Sequence, residues 1–217
     1  MTAQAGSASS PSGGPSAAER STLRLALRRQ LRAERANLSP GVRQRAARDI
    51  SRQLLRHRLL KSGQRVAVYI GVRGEADLEP LITRARRLGC RLYLPRVTNP
   101  RRGTMEFLRF TGSRDLRRSG LGLLEPKPSA ARIAPRDLDR VFVPLVAFDR
   151  EGHRLGTGSG FYDRRFAFLT NRVRWRRPRL VGIGYELQCL PVVPTEPWDV
   201  SMDAVVTERR VYWRVSH

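Results

Sequence analysis

An α/β fold, with an open, mostly parallel sheet in a three-layer arrangement with flanking helices, is what the sequence predicts, on three observations. In "QRVAVYIGV", "CRLYLPRV", "DRVFVPLVAFD" and "RLVGIGY" the hydrophobic period shortens and β-branched residues gather, which is the pattern of buried strands. Between the first two lies the helical stretch "EADLEPLITRARRLG", and strand, helix, strand at this spacing is a right-handed crossover between parallel neighbours. In the third run Pro144 has no N–H for the ladder, so the chain should lift off the sheet just after Val143. The loop that follows then stands at a strand's C-terminal end, where open α/β sheets form their ligand crevices.

The elements follow in order. Met1 to Ala18 hold no charged side chain and almost no large apolar one, so they cannot offset the entropy of ordering. Residues 1–20 are read as a disordered tail and 21–217 as one domain. From Ser21, Leu23, Leu27 and Leu31 recur every fourth residue among arginines, an apolar stripe on a basic helix that stops near Asn37. Ser39 then caps a second helix with Pro40 in its first turn, and Val42, Ala46, Ile50 and Leu54 form its buried face. Arg65 to Val72 is the first strand, the crossover helix ends at Gly89, and "CRLYLPRV" is the next strand. "MEFLRF" adds a short strand at an edge. "DRVFVPLVAFD", a helix in "FYDRRFAFL", the core strand Arg179 to Tyr185 and "MDAVVTE" complete the series.

Composition limits the function. The chain of 217 residues is 40% hydrophobic, enough for one sizeable core. Lys and Arg total 42 against 19 Asp and Glu, a formal charge of +23, and 40 of the 42 are arginines. They are spread along nearly the whole chain, as solvated helix faces would be, so the charge by itself indicates only weak, non-specific attraction to nucleic acid. Cys90 and Cys189 have neither disulfide-framework nor metal-knuckle spacing and fit a reducing compartment. No histidine cluster suits a metal, and no apolar run suits a membrane span. The Ser-rich, acid-poor start has the composition of a mitochondrial presequence, but its first arginine, Arg20, comes late for that role, and an inert tail is preferred.

The stretch "RLGTGSGFYD", Arg154 to Asp163, carries the chemistry. Strand, glycine loop and helix converge backbone N–H groups on a concavity that favours anions. Gly156, Gly158 and Gly160 permit positive φ and close approach of a ligand, and Arg154 can grip phosphate oxygens bidentately. Asp163, in the first helical turn, would be repelled by phosphate unless a divalent cation lay between them, and a carboxylate with substrate phosphates is how magnesium is usually held. An ordinary turn with Asp163 as a helix cap accounts for the spacing about equally well, since neither the Walker pattern nor the dinucleotide fingerprint is matched.

"PLVAFDREGHRLGTGSGFYDRRF", "VGIGYELQCL" and "LPVVPTEPWDVSMDAVVTE", in that order, resemble the signature of the 5-formyltetrahydrofolate cyclo-ligase (5,10-methenyltetrahydrofolate synthetase) family. Upstream, "YIGVRGEADLEPLI", "CRLYLPRV" and "LEPKP" look like the family's folate-contacting loop, next strand and Glu-Pro segment, so the similarity runs from about Leu27 to Glu208. The resemblance implies a Rossmann-like cyclo-ligase fold and a cytoplasmic monomer. It also implies ATP- and Mg²⁺-dependent closure of 5-formyltetrahydrofolate to 5,10-methenyltetrahydrofolate, with release of ADP and phosphate. By the same resemblance, Arg154, Leu155, Gly156, Thr157, Gly158, Ser159, Gly160, Phe161 and Tyr162 hold ATP. Thr157 to Phe161 also face the folate, Arg154 and Tyr162 are catalytic, and Asp163 and Asp199 bind the metal. Glu75 contacts the pterin ring and Ile70 lines the same pocket. "RRQLR" matches a Lys-x-x-Leu-Arg motif that reaches ATP, placing Arg28, Leu31 and Arg32 on it with arginine in place of lysine. Thr157 and Ser159 stand where some relatives carry basic residues.

Two rival readings come from other classes. A catalytically silent folate binder is suggested by the altered lysine and loop residues, although a pure binder has little use for Asp163 and Asp199. An Arg-rich nucleic-acid-binding module is suggested by "RVRWRRPR", Arg172 to Arg179, where Trp175 lies among five arginines.

Overall fold

The computed structural model describes residues 16–120, 122–170 and 177–214. Helix α1 spans Ala17–Ala36, and its start is set by a reciprocal cap: Ser16 Oγ accepts from the Glu19 N–H while the Glu19 carboxylate accepts from the Ser16 N–H. This cap begins the helix before the expected Ser21 and shortens the proposed tail, of which residues 1–15 lie outside the described residues. Helix α2 (Pro40–Arg56) is capped by Ser39 with Pro40 in its first turn, as expected. Ala46, Ile50 and Leu54 are buried, whereas Val42 stays exposed.

Strand β1 (Arg65–Ala67), helix α3 (Glu79–Arg87) and strand β2 (Arg91–Asn99) form the predicted crossover, β1 lying parallel to β2. Strand β3 (Thr104–Arg109) returns antiparallel to β2. A separate small hairpin follows, β4 (Leu116–Arg118) with β5 (Leu124–Pro126). Strand β6 (Arg132–Ile133) then pairs with β3, so the strand expected at the edge is covered. Strand β7 (Arg140–Pro144) runs parallel to β1 on its other side. After it, β8 (Ala147–Phe148) and β9 (Arg154–Leu155) make a hairpin of their own, and helix α4 (Phe161–Phe166) follows. Strands β10 (Arg179–Ile183) and β11 (Ala204–Val206) extend the parallel sheet, and β12 (Val211–Trp213) closes it antiparallel. The order across the eight strands is β12-β11-β10-β7-β1-β2-β3-β6, antiparallel only towards its two ends.

Alternate residues of the central strands enter opposite layers. Val66, Val68, Leu92, Leu94 and Phe142 pack with Ile50, Leu54 and Leu81 from α2 and α3. Ala67, Tyr93, Val141 and Val143 pack with Phe107 and with Phe166 from α4. From β1 the chain winds one way across the sheet and from β7 the other, so the loops after these adjacent strands diverge and leave a crevice between them. The chain leaves the sheet at Pro144, one position later than expected, Pro144 still standing opposite Ile183. Its freed carbonyls are taken by side chains: Gln188 Nε2 donates to Leu145 and Val146 (2.9 and 2.8 Å), and Arg35 donates to Leu145 (3.3 Å).

Helix α1 does not lie on the sheet. Leu31 packs with Val146, Ala147, Leu155 and Val193, so the helix sits on the β8–β9 hairpin. The inward stripe accordingly differs from the expected one: Leu23 is 48% exposed, Leu27 is half-buried, and Arg24 and Arg35 point inward because carboxylate and carbonyl partners wait there. The hairpin turn is tied down from the other side. Gly152 donates to the Asp149 carbonyl and accepts from the Met202 N–H at 2.8 Å, and it has φ +82°, with the Met202 oxygen 2.6 Å from where a Cβ would stand. Gly152→Ala is expected to lower unfolding stability by about 2–4 kcal/mol, from left-handed strain plus overpacking, as read by urea denaturation.

Candidate active site

The hairpin presents its glycine loop to α1. Gly158 (φ +108°) and Gly160 (φ +62°, the residue before α4) turn the backbone in ways that favour glycine. Three arginines at successive helical turns of α1 face this region. Arg28 Nε donates to the Gly156 carbonyl (2.9 Å) and Arg32 to the Thr157 carbonyl (2.8 Å). Arg24 donates to the Asp199 carboxylate through two nitrogens (2.6 and 3.3 Å) and to the Pro194 carbonyl (2.8 Å). Burial, and then the like charges of Arg24 and Arg32, lower the Arg28 pKa, so an anion held among them would relieve the strain. A cavity of about 220 Å³ opens between helix and loop, bounded by Arg24, Arg28, the three loop glycines, Asp163 and Asp199.

Beneath the loop, Arg154 is 4% exposed and paired with Asp163 (2.7 Å), its other terminal nitrogen donating to the Val200 carbonyl. Asp163 Oδ1 takes that bond and a second from the Val200 N–H (3.1 Å). Both aspartates therefore border one cavity, each already steadied by a guanidinium. Two hard carboxylates beside a phosphate-sized concavity suit Mg²⁺ when substrate oxygens and water complete its shell, whereas no group of three or more His, Cys, Asp or Glu that could hold a metal without such help occurs among the described residues.

Across the crevice, the loop after β1 brings Glu75 beside an aromatic wall. Tyr69 Oη donates to the Ala76 carbonyl (3.0 Å), and Glu75 Oε2 accepts from the Val72 N–H (3.2 Å). Burial pushes the Glu75 carboxyl up, against the pull of Arg35 and Arg32. Burial and the Glu75 charge together push the Tyr69 and Tyr162 phenols up, while Arg154 opposes the shift at Tyr162. Tyr162 stacks on Phe166 at 6.4 Å between ring centres.

Residues 18–208 match the model of the 5-formyltetrahydrofolate cyclo-ligase family. The chain belongs to that family. The cyclo-ligase of Escherichia coli is 34% identical over 84% of this chain and 98% of its own length, and that of Haemophilus influenzae is 32% identical over 82% and 94%. The solution structure of 5,10-methenyltetrahydrofolate synthetase from Aquifex aeolicus superposes with a TM-score of 0.76 at 32% identity, covering 90% of this chain and 94% of that one. The fold is thus the family's mostly parallel sheet flanked by helices, and the chain is an ATP-dependent ligase of folate one-carbon metabolism.

The cyclo-ligase structure places the sequence-predicted residues in three groups. Arg28, Gly156, Gly158, Gly160, Asp163 and Asp199 border the cavity, with Thr157 and Ser159 on the same exposed loop and Arg32 holding Thr157. Leu31 and Leu155 are packed core under the loop, so they position it from behind, and Arg154 is held in its ion pair there. Glu75 and Ile70 belong to the other side of the crevice, where Ile70 packs on the α2–α3 core, whereas Phe161 and Tyr162 follow the glycine loop on α4 and pack against the opposite layer, with Tyr162 within reach of the Glu75 charge. Sequence reasoning missed Arg24, Arg164 and Trp198, which also line the cavity. Arg24 had a signal, standing one turn before Arg28 and two before Arg32 on one helix face. Arg164 donates to the carbonyls of Ser159 and, 61 positions away in the turn between β2 and β3, of Gly103, a contact that sequence spacing does not register. Among the described residues, no helix is long and apolar enough to cross a membrane.

Proposed function

We propose that this chain binds 5-formyltetrahydrofolate in the crevice between the loops after β1 and β7, and ATP with Mg²⁺ on the glycine loop, and closes the folate ring to 5,10-methenyltetrahydrofolate. The observation that supports it most is the placement of the α1 arginines and two aspartates around one glycine-lined cavity, with Glu75 and its tyrosines across the crevice. The formyl oxygen attacks the γ-phosphorus, an O–P bond forms, and ADP departs. The N10 nitrogen then attacks the activated formyl carbon and gives up its proton, and the C–O bond breaks with release of phosphate, which carries that proton away. Making that oxygen a leaving group is the hard step, and the protein's work in it is positioning and charge stabilisation.

Loop N–H groups and Arg28 would orient the triphosphate, with Arg32 bracing the loop through Thr157. Asp163 and Asp199 would hold Mg²⁺, which when bound neutralises phosphate charge. Glu75 would accept N–H bonds from the pterin, and Tyr162, a phenol kept protonated by burial, would serve as a donor at the crevice wall. The two cysteines are free thiols, which fits the reducing cytoplasm. The test is absorbance at the methenyl product band with 5-formyltetrahydrofolate, ATP and Mg²⁺: growth of the band only when all three are present supports the reading. A flat trace from folded protein with retained folate binding favours a silent folate binder instead.

Arg28 stands where the family motif carries lysine. Its Nε is spent on the Gly156 carbonyl, so its terminal nitrogens are left for phosphate, whereas a lysine would have to serve both from a single nitrogen at the end of its stem. Arg28→Lys is expected to raise the KM for ATP about 3- to 10-fold, the loss of one charge-assisted hydrogen bond, with kcat changed less. Initial rates against ATP concentration check it.

A further inference from the structure

At the opposite end of the parallel strands from the glycine loop, the first residues of β7 and β10 stand side by side, Arg140 in register with Arg179. A second cavity, of about 410 Å³, opens there, lined by Arg58, Lys61, Arg140, Arg177 and Arg179, with Trp213 on its wall. Its one carboxylate is already committed: Asp139 accepts from the Arg65 N–H (2.9 Å), from the Arg65 guanidinium (3.2 Å at each oxygen) and from Arg177 (3.3 Å). Arg140 is 6% exposed, yet its Nε and Nη1 meet no acceptor. Burial, and next the charge of Arg179, lower its pKa to about 10. A buried guanidinium with two nitrogens lacking acceptors is costly, and the Arg179 charge adds to the cost, with the Asp203 and Asp139 carboxylates offsetting only part of it. An anion seated in the cavity would supply the missing acceptors and offset the repulsion in one step.

We propose that this cavity is a second anion site that takes an oligophosphate group, distinct from the glycine-loop site. Oligophosphate fits better than a lone carboxylate, because five cations lining a cavity whose one carboxylate is already spent call for a multiply charged guest, and guanidinium forks can engage its phosphoryl oxygens in pairs. The volume lies within the range of small-ligand pockets and is too small for a folded partner's element. Trp213 is 43% exposed, with the His57 ring edge-on to it at 6.3 Å, so a flat aromatic carrier of the phosphates would find a surface to stack on.

The test is equilibrium dialysis of the full chain with pyrophosphate at low ionic strength, comparing wild type with Arg58→Ala/Arg179→Ala, both exposed side chains at the rim. The variant is expected to bind one equivalent fewer while keeping full turnover, and Arg28→Ala is expected to leave that equivalent in place. Arg140→Met, if it folds, should lose it as well. Equal stoichiometry in wild type and the double variant overturns the proposal. So does a uridine oligonucleotide whose binding is lost in the double variant while pyrophosphate stoichiometry stays the same, since the face would then be a polynucleotide surface. With one equivalent lost, binding of ADP at this site at least tenfold tighter than pyrophosphate identifies a nucleotide as the carrier, and equal binding identifies free oligophosphate.

Discussion

Asp163→Ala is expected to remove turnover, by on the order of a thousandfold or more, and also to destabilise the fold. The two losses have different origins. Asp163 borders the cavity proposed to hold the phosphates, and it is the counterion of Arg154, which is 4% exposed and among the described residues pairs with no other carboxylate. Truncation leaves a buried guanidinium unpaired and the Val200 N–H without an acceptor. The expected cost is about 3 kcal/mol, towards the low end for a buried pair because Asp163 itself is partly solvated. Asp163→Asn separates the effects: its amide oxygen can still accept from Arg154 and Val200, so stability returns in part while turnover stays low. Methenyl absorbance and urea unfolding on the same preparations decide it. Near-normal turnover in Asp163→Asn would remove the carboxylate from the chemistry and leave it a structural counterion.

Glu75→Gln should move binding and stability in opposite directions. Burial raises the Glu75 carboxyl, so ionising it costs the folded state more than the unfolded one. Below the ordinary carboxylate range both states hold the proton and no penalty exists. As pH rises through 4.5 the unfolded chain ionises first, and from there the charge counts against the fold. The glutamine variant is therefore expected to be more stable than wild type at neutral pH, with the gain vanishing on acidification. Meanwhile the KM for 5-formyltetrahydrofolate should rise about 10- to 100-fold, because a neutral amide cannot make the charge-assisted pair of bonds to the pterin N–H groups. Unfolding midpoints from about pH 4 to about pH 8, beside the folate KM, test both halves. A variant that loses stability at neutral pH would show that Glu75 is a structural acceptor for Val72 before it is a ligand for folate.

Most of the central sheet was legible because its strands are buried on both faces, so runs such as "RVAVY" and "RVFVP" need no partner to declare themselves. The strands that escaped, β4, β5, β6, β8, β9 and β12, hold two or three residues each, whereas the equally short β1 and β11 stand in longer buried runs that announce them. The stripe on α1 misled for another reason. Leu23 fits the spacing, but the face is set by what waits opposite, and that is the Asp199 carboxylate, more than 170 positions along the chain. At the site, the glycines, Arg154 and Asp163 were visible as a local pattern, whereas Arg28 and Arg32 were named only through the family motif. The Arg154–Asp163 ion pair closes over only nine positions, but its anchoring on the Val200 backbone, and the bracing of the loop by Arg164 through Gly103, depend on distant segments and leave no mark in local spacing. The basic segment Arg172 to Arg179 lies outside the described residues except for 177–179, of which Arg177 and Arg179 border the second cavity.

Helix α1 rests on the hairpin that carries the glycine loop, and that has a bearing on synthesis. Arg28 waits for Gly156, 128 positions later, and Arg24 for Asp199, 175 positions later. At ordinary elongation rates this is on the order of 10 s during which a basic helix stands free of its carboxylate and carbonyl partners, beside a ribosome made largely of phosphate. Helix α1 is thus made early and seated late, and the proposed ATP site comes into being only when the glycine loop and Asp199 have both been made.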